Sequence, residues 1–231
     1  MAFFDHFANP TITPIGKWIK IRSRQNIFRK LNYYIPNKNC EILEIGPGYG
    51  ELATIFKKAG YSNYSVVEPN EVMREKLKSL GFDTKDYLIP YLEEENDTYH
   101  AIMLVDVFEH LNDSHEANVF MTEARRVLKM DGILCIFAPD YLHWKEDFFN
   151  GDYSHNNITT VRRELQLLYN HGFGLLMIGY FSGFFTGEFA TLISLIIRLV
   201  LFFPRGNAID SKIYKLKLTF LRQFLIVGVK E

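Results

Sequence analysis

The sequence predicts an α/β fold in which helices cover both faces of a mostly parallel sheet. Three apolar runs, at residues 41–45, 64–68 and 101–105, lack the alternation of polar and apolar side chains seen in half-exposed strands. Such runs are typical of strands buried on both faces. A glycine-rich turn at residues 46–50 ends the first run and leads into a helix. Strand–helix alternation of this kind favours a parallel sheet.

The other elements are predicted from caps, apolar faces and glycine stops. Helices are expected over residues 51–59, over 71–80 with Asn70 as its cap, from Asp113 or Ser114 to Asp131-Gly132, and from Thr159 or Thr160 to His171. Strands are expected over residues 82–86, 133–138, 175–180 and 224–229, with an insertion of about 40 residues before the last one.

The composition of the 231-residue chain is that of a globular protein, with 48% hydrophobic and 23% charged residues. This excludes a disordered or low-complexity chain. The 26 basic and 27 acidic residues nearly cancel, so no global charge attracts the protein to nucleic acid. Basic residues outnumber acidic ones by seven to one in residues 1–38 and by five to one in residues 205–222. We therefore expect a basic N-terminal arm or lid over 1–38 and a single domain over 39–231.

The glycine turn and a later glutamate together indicate a nucleoside-binding site. Gly46, Gly48 and Gly50 let the backbone approach a ligand closely at a helix N-terminus, although their spacing differs from the dinucleotide pattern G-x-G-x-x-G. Glu68 ends the second strand eighteen residues after Gly50, where a carboxylate can accept hydrogen bonds from both hydroxyls of a ribose. A solvated strand end is the alternative interpretation of Glu68.

Four motifs in order resemble those of class I S-adenosylmethionine-dependent methyltransferases. They are E-I-G-P-G-Y-G, V-V-E-P-N, D-V-F-E-H-L and R-V-L-K-M-D-G-I-L, and the resemblance covers roughly residues 38–180, with the last strand added later. It implies a Rossmann-like, doubly wound, mostly parallel seven-stranded sheet with a reversed last strand. It also implies S-adenosyl-L-methionine as the cofactor.

The same resemblance implies roles for individual residues. Glu44 would hold the methionine amino group of the cofactor, because a carboxylate pairs well with a cationic amine in a partly dry site. The other cofactor-binding candidates are Gly46, Gly48 and Gly50 for the methionine and ribose parts, Glu68 with Pro69 for the ribose, Asp86 with Tyr87 for the adenine amino group, and Asp106 with Val107 near the sulfonium.

Two histidines are the candidate catalytic residues. His155 stands in a D-Y-S-H segment that resembles one found in methyltransferases of cell-envelope sugars, and we expect it to act as a base or to bind the acceptor. It could instead cap the following helix. His110 is the second candidate, with a structural role in its loop as the alternative. No metal site is expected, because Asp106, Glu109 and Asp140 do not form a tight cluster in the sequence.

The insertion over residues 181–222 contains an apolar helix that is expected to begin at Glu188 and to end at Pro204. Its polar residues lie on one thin stripe, and every other face is apolar: Glu188, Thr191, Ser194 and Arg198 form the stripe. Residues 184–203 could therefore contact a membrane surface, a second copy of the chain, or the core of the domain. An apolar helix followed by cations favours contact with anionic lipid.

The predicted function is methyl transfer to a hydroxyl of a small polar or sugar-type acceptor, which could be lipid-linked. The alternative is a module that binds the cofactor or a membrane without turnover. A nucleic-acid acceptor is not expected, because there is no N/D-P-P-Y motif and no reactive cysteine after the fourth strand. Cys40 and Cys135 are expected to be buried thiols in a reducing cytoplasm. The expected location is the cytoplasm, and contact of residues 184–203 with lipid would place the protein at the inner face of a membrane.

Overall fold

The computed structural model describes residues 13–201 and 212–231, which form nine α-helices, a short 3-10 helix and eight strands. The strands are β1 (Ile42–Ile45), β2 (Tyr64–Val67), β3 (Asp83–Lys85), β4 (Tyr99–Val105), β5 (Leu128–Pro139), β6 (Phe173–Ser182), β7 (Phe185–Thr186) and β8 (Gln223–Lys230). The α-helices are α1 (Pro14–Leu31), α2 (Glu51–Lys58), α3 (Glu71–Ser79), α4 (Ser114–Val127), α5 (Tyr141–Trp144), α6 (Asp147–Gly151), α7 (Val161–Asn170), α8 (Glu188–Val200) and α9 (Lys212–Phe220).

The strands form one mixed sheet in the order β3-β2-β1-β4-β5-β8-β6-β7. Strands β1 to β5 pair in parallel, whereas β8 runs antiparallel to both β5 and β6. This is the doubly wound α/β fold with a reversed last strand that the sequence predicts. The two-residue strand β7 pairs antiparallel to β6 and brings the sheet to eight strands rather than seven.

Alternate residues of each central strand enter two separate cores, one on each face of the sheet. On one face, Leu43 and Leu104 pack with Phe120 of α4 and Leu168 of α7. On the other face, α1, α2 and α3 bury Leu31, Phe56 and Leu77, which pack with Ile42 and Met103. Burial on both faces explains why the central strands are apolar at nearly every position.

The predicted end of α4 is wrong, because the helix stops at Val127 and β5 begins at once with Leu128. Leu128 pairs with Tyr99, and the ladder then shifts register before Ala101 pairs with Ile133. Asp131 has a φ of 61°, which lies in the left-handed region, so residues 129–132 bulge out of the strand. The turn signal Asp-Gly therefore marks a bulge inside the strand and not the end of the helix.

Within the N-terminal arm, residues Pro14–Leu31 form an 18-residue helix, α1, which was not predicted from the sequence. Thr13 caps it, and Ile27 and Leu31 are fully buried against the domain. Residues 1–12 and 202–211 lie outside the described residues, and so does the predicted helix stop at Pro204. The division of the chain into an arm and a domain stays a prediction. Among the described residues, no helix combines the length and the apolar character that crossing a bilayer requires.

Candidate active site

A cleft of about 1080 Å³ opens where β1, β2 and β4 end. Parallel strands of a doubly wound sheet bring their carboxyl ends to one edge, which is where such folds bind ligands. Eleven of the twelve candidate residues line this cleft, and Gly50 does not. The eleven are Glu44, Gly46, Gly48, Glu68, Pro69, Asp86, Tyr87, Asp106, Val107, His110 and His155.

Gly46 and Gly48 of the glycine turn line the cleft without a side chain. Gly48 has a φ of 57°, and a Cβ added there would meet no atom within 4 Å, so it would project into open space. Gly50 instead faces the protein interior, because a Cβ there would lie 2.7 Å from Leu77 Cδ2 of α3. Gly50 is thus needed for close packing between α2 and α3, while Gly48 keeps the floor of the cleft open.

Two buried carboxylates face the cleft from β1 and from the end of β2. Burial raises the pKa of Glu44 to about 7, although the hydroxyl of Tyr64 donates to its Oε2 at 2.7 Å and opposes that rise. Glu68 Oε1 accepts from the backbone N–H of Asn70 at 3.0 Å, and Gly48 N–H also bonds to the carboxylate. Burial is the main cause that raises the pKa of Glu68.

Arg74 of α3 ties the Glu68 turn to the loop that follows β3. Its guanidinium donates to Glu68 O and Pro69 O, each at 2.9 Å, and to Asp86 Oδ1 at 2.9 Å. Asp86 remains exposed, whereas Tyr87 beside it is buried and donates to Glu94 Oε2 at 2.6 Å. Sequence reasoning missed Arg74, because only the three-dimensional structure shows that this helix residue spans both loops.

Asp106, directly after β4, is held from two distant parts of the chain. Arg24 Nη2 of α1 donates to Asp106 Oδ2 at 2.7 Å, and Gln223 Nε2 at the start of β8 donates to Oδ1 at 2.7 Å. Lys20 of α1 pairs with Glu51 at 2.8 Å on the same side of the cleft. Sequence reasoning missed Arg24, Gln223 and Lys20 as cleft residues, because it expected a basic arm or lid without assigning roles to its side chains and placed no site residue in the last strand.

The two candidate histidines lie next to each other, with ring centroids 4.9 Å apart. His155 Nδ1 is 2.7 Å from Phe148 O, and a carbonyl can only accept, so Nδ1 carries the proton. His110 Nδ1 lies 2.8 Å from Ser154 Oγ, whose own hydroxyl donates to Asp152 Oδ1 at 2.6 Å. In the neutral form of either ring, Nε2 is therefore the accepting nitrogen. Burial lowers the pKa of both imidazoles and so favours that neutral form.

Glu109 and His143 are two further buried residues, one in the cleft lining and one outside it. Glu109 is buried, and burial together with the nearby Asp106 carboxylate raises its pKa well above the usual value. His143 follows β5 in the short helix α5 and does not line the cleft. Its Nδ1 lies 3.1 Å from Ser194 Oγ of α8.

The donor set fits S-adenosyl-L-methionine. A buried carboxylate, Glu44, is available for an amino group, a second one, Glu68, stands at the end of β2 for a ribose, and Gly48 leaves space for the ligand between them. The cleft is larger than most single small-molecule sites, so it has room for an acceptor beside the cofactor. The histidine pair lies at the Asp106 side of this space.

Comparisons with known proteins agree with this assignment. The family model described as "Methyltransferase domain" matches residues 18–173, more than half of the chain. No curated protein matches the sequence. Among solved structures, a SAM-dependent methyltransferase from Archaeoglobus fulgidus is 22% identical with a TM-score of 0.63, and the alignment covers 91% of this chain and 96% of that one.

Two further structures share the fold at lower identity. Magnesium protoporphyrin IX methyltransferase from Synechocystis PCC 6803, solved with bound SAH, is 13% identical with a TM-score of 0.65, and the alignment covers 99% of this chain and 93% of that one. The cyclase SpnF is 14% identical with a TM-score of 0.61, over 89% of this chain and 81% of that one. The family match over residues 18–173, the fold and the cleft together show that the chain belongs to the methyltransferase domain family and uses S-adenosyl-L-methionine as its cofactor.

Proposed function

We propose that the protein transfers a methyl group to a hydroxyl of a small polar or sugar-type acceptor, and that the acceptor is lipid-linked. The observation that supports a hydroxyl acceptor is His155, which lines the cleft and whose Nε2 is left as the accepting nitrogen because Nδ1–H is held by Phe148 O. A hydroxyl must lose its proton to become a strong nucleophile, and a histidine near its ordinary pKa commonly accepts that proton.

In this proposal each side chain of the cleft has a separate task. When bound, the cofactor supplies a methyl group activated by positively charged sulfur. Glu44 and Glu68 anchor its amino group and its ribose, and Asp86 with Tyr87 borders the adenine. Asp106 holds the position beside the sulfonium because Arg24 and Gln223 fix both of its oxygens. Alignment of nucleophile and methyl group is worth about 7–11 kcal/mol in such reactions.

His155 accepts the hydroxyl proton, and His110 supports it from 4.9 Å away. Trp144 and Phe148 pack around the His155 ring, at centroid distances of 6.3 Å and 4.7 Å. This apolar contact keeps the imidazole in one orientation toward the acceptor space. Helix α1 serves as the lid of the cleft, since Lys20 and Arg24 line it from the arm.

The direction of helix α8 supports a lipid-linked acceptor at the cytoplasmic face of a membrane. The middle of its polar stripe points inward, where Ser194 is fully buried and accepts from Arg222 N–H at 2.9 Å, while Thr191 Oγ1 accepts from Arg222 Nη1 at 3.2 Å. Its apolar side chains point outward. The exposed ones are Phe189, Leu192, Leu195, Ile196, Leu199 and Val200.

This outward apolar face continues onto neighbouring elements. Trp18 of α1 contacts Phe184 at 5.2 Å between ring centroids, and Phe185 contacts Phe189 of α8 at 5.2 Å. The same elements carry cations: Arg22 lies against the Trp18 ring, and Lys215 is exposed on α9, which packs against α8. We call the exposed apolar side chains of α8, with Trp18, Phe184 and Phe185, the patch. Apolar area flanked by cations is the arrangement that binds anionic lipid surfaces, which favours a membrane over a second copy of the chain.

The test of methyl transfer is the formation of S-adenosylhomocysteine in the presence of fractionated acceptor pools. The proposal expects release only with fractions that contain free hydroxyls, and the methylated product to be an ether by mass spectrometry and NMR. Prior acetylation of the hydroxyls should abolish release. Cofactor binding with no release in any fraction would favour the alternative, a binding module without turnover, and an N-methylated product would contradict the hydroxyl acceptor.

A further inference from the structure

Glu109, His110 and His155 bring one carboxylate oxygen and two ring nitrogens together at the acceptor side of the cleft. One such atom from each residue lies within 4.8 Å of the other two. Two of the residues belong to the 3-10 turn Phe108–His110 after β4, and the third belongs to the loop before α7. The backbone N–H groups of Asn156 and Asn157 both donate to Glu109 O at 3.0 Å, so the loop is fastened to the turn. The three side chains are therefore brought together by hydrogen bonds of the backbone.

Both histidines are oriented as metal-binding histidines usually are. A ligating imidazole donates its other N–H to a carbonyl or another acceptor, which fixes the tautomer and leaves one nitrogen for the metal. His155 donates from Nδ1 to Phe148 O, and His110 donates from Nδ1 to Ser154 Oγ. The Ser154 hydroxyl in turn donates to Asp152, so the orientation of His110 rests on a second acceptor.

The carboxylate of Glu109 lacks the partner that its burial requires. Its side chain is 1% exposed, and no donor in residues 13–201 or 212–231 hydrogen-bonds to Oε2. A buried carboxylate without a counter-charge is strongly unfavourable unless it takes up a proton or pairs with a cation. The guanidinium of Arg24, which also lines the cleft, is already bound to Asp106.

We propose that Glu109, His110 and His155 bind a divalent transition-metal cation such as Zn²⁺, with its remaining coordination positions open to the cleft. One carboxylate with two imidazoles is a ligand set that suits Zn²⁺, Mn²⁺ or Fe²⁺ and leaves room for an oxygen of the acceptor. A site made of oxygen ligands alone would suit Mg²⁺ or Ca²⁺, so the two nitrogens argue against those ions. This differs from the expectation of no metal, which considered Asp106, Glu109 and Asp140 and did not bring the histidines to Glu109.

The inference rests on the proposed function and makes the role of His155 depend on whether the metal is bound. His155 Nε2 takes up the acceptor proton when the cluster is empty, and it is a metal ligand when the cluster is loaded. In the loaded protein the cation lowers the pKa of an acceptor hydroxyl, and the proton leaves to water through the open cleft. Acceptors with two adjacent oxygens would then bind better than those with one.

Titration of the chelator-treated full-length protein with Co²⁺, a spectroscopic substitute for Zn²⁺, tests the site directly. We expect visible absorption bands of a nitrogen- and oxygen-ligated cobalt that saturate at one ion per chain, and displacement of these bands by Zn²⁺. Glu109→Gln, His110→Gln and His155→Gln should each weaken binding by about tenfold or more. His143→Gln removes another buried histidine outside the cluster and should leave the bands unchanged.

Thermal unfolding provides a second measurement on the same variants. Zn²⁺ should raise the melting temperature of the wild type and of His143→Gln, and not of Glu109→Gln, which removes a buried charge and should fold at least as well as the wild type. Absence of saturable bands, or bands that survive all three cluster variants, would overturn the metal site. If methyl transfer to hydroxyls continues in that case, the proposed function stands. Metal binding without any methyl transfer would support the metal site and reject the proposed function.

Discussion

Arg24 of the N-terminal helix donates to Asp106 at the end of the central strand β4, at 2.7 Å and across 82 positions of the chain. The guanidinium also lies 5.7 Å from the centre of the Phe137 ring on β5. Through these two contacts, α1 is attached to the cleft beside the position that we propose for the sulfonium of the cofactor. Helix α1 therefore contributes to the lining of the cleft through Lys20 and Arg24.

Replacement of Arg24 by Gln should detach α1 from the cleft. The Arg24 side chain is 12% exposed and that of Asp106 is 35% exposed, so solvent screens part of the interaction. We expect the dissociation constant of S-adenosylhomocysteine to rise by roughly fivefold to thirtyfold, which corresponds to about 1–2 kcal/mol. Hydrogen exchange in α1 should accelerate at the same time.

Arg29→Gln is the matched control for this prediction. Arg29 lies on the same helix but is exposed and donates to Asn26, away from the cleft. Calorimetric titration of both variants with S-adenosylhomocysteine compares them directly. Equal affinities of Arg24→Gln and Arg29→Gln would mean that α1 does not contribute to cofactor binding.

Gly48→Val should weaken cofactor binding by more than about tenfold. The new side chain would enter the open space of the cleft, and a β-branched residue also strains a backbone with a φ of 57°. Gly60→Val has the same two local features, a φ of 93° and no atom within 4 Å of an added Cβ, but Gly60 does not line the cleft. Binding of S-adenosylmethionine should fall only in the first variant, and an unchanged dissociation constant there would reject the assignment of the glycine turn.

Cofactor affinity should depend on pH through Glu44, whose pKa is about 7 in the free protein. A carboxylate whose pKa is raised on folding holds its proton as the pH falls below that value, so affinity should decline by up to about tenfold per pH unit below 7. The amino group of the cofactor loses its proton above about pH 8. Affinity should therefore be greatest between these two limits.

Two variants test whether Glu44, and not another group of the cleft, causes the pH dependence of cofactor affinity. Glu44→Gln should bind weakly and lose the decline at acidic pH. Tyr64→Phe removes the hydrogen bond that lowers the pKa of Glu44, so the decline should begin at a higher pH. Calorimetric titration from pH 5 to pH 9 measures all three proteins. An acidic decline that persists in Glu44→Gln would assign it to a different group.

The core of the fold is predictable from the sequence for a physical reason. Strands buried on both faces are apolar at nearly every position, and helix caps such as Asn70 satisfy backbone donors locally, so both leave signals in neighbouring residues. The candidate cofactor residues lie in strands β1 to β4 or shortly after their ends, so they could be located from the same signals. Contacts between distant residues leave no such signal, which is why Arg24 and Gln223 on Asp106, and Arg74 between two loops, were not foreseen.

Helix α8 is another feature that the sequence predicts only in part. Periodicity located its polar stripe, but periodicity alone does not say which face turns inward. Arg222, 28 positions after Ser194, draws the polar face toward the domain and leaves the apolar one outside. The bulge at Asp131 is a second case, because an Asp-Gly turn signal has the same form at the end of a helix and inside a strand.

The outward face of α8 should bind vesicles that contain anionic lipid. Burial of one leucine-sized side chain contributes about 1.5–3 kcal/mol, and each nearby cation adds about 1 kcal/mol at low salt. The protein should therefore sediment with phosphatidylglycerol vesicles, and less so as the salt concentration rises. Leu195→Asp combined with Leu199→Asp should release it, because both side chains are exposed on that face.

Val72→Asp is the control for the vesicle experiment, since Val72 is an exposed apolar residue on the surface of α3, outside the patch. It should sediment like the wild type. Retention of the wild-type protein in the supernatant at every salt concentration would reject lipid contact. Sedimentation equilibrium would then decide whether the same face joins two copies of the chain.

Turnover of His155→Ala tests the central claim, hydroxyl methylation with His155 at the acceptor, most directly. His155 lines the cleft in either of its two proposed roles, so its loss should lower kcat by at least about 100-fold. The affinity for S-adenosylhomocysteine should stay near that of the wild type, and His115→Ala, an exposed histidine at the start of α4, should keep full activity. The assay is release of S-adenosylhomocysteine with a hydroxyl acceptor at neutral pH. A large loss of kcat with intact cofactor binding is the predicted result, and nearly wild-type turnover in His155→Ala would contradict the account.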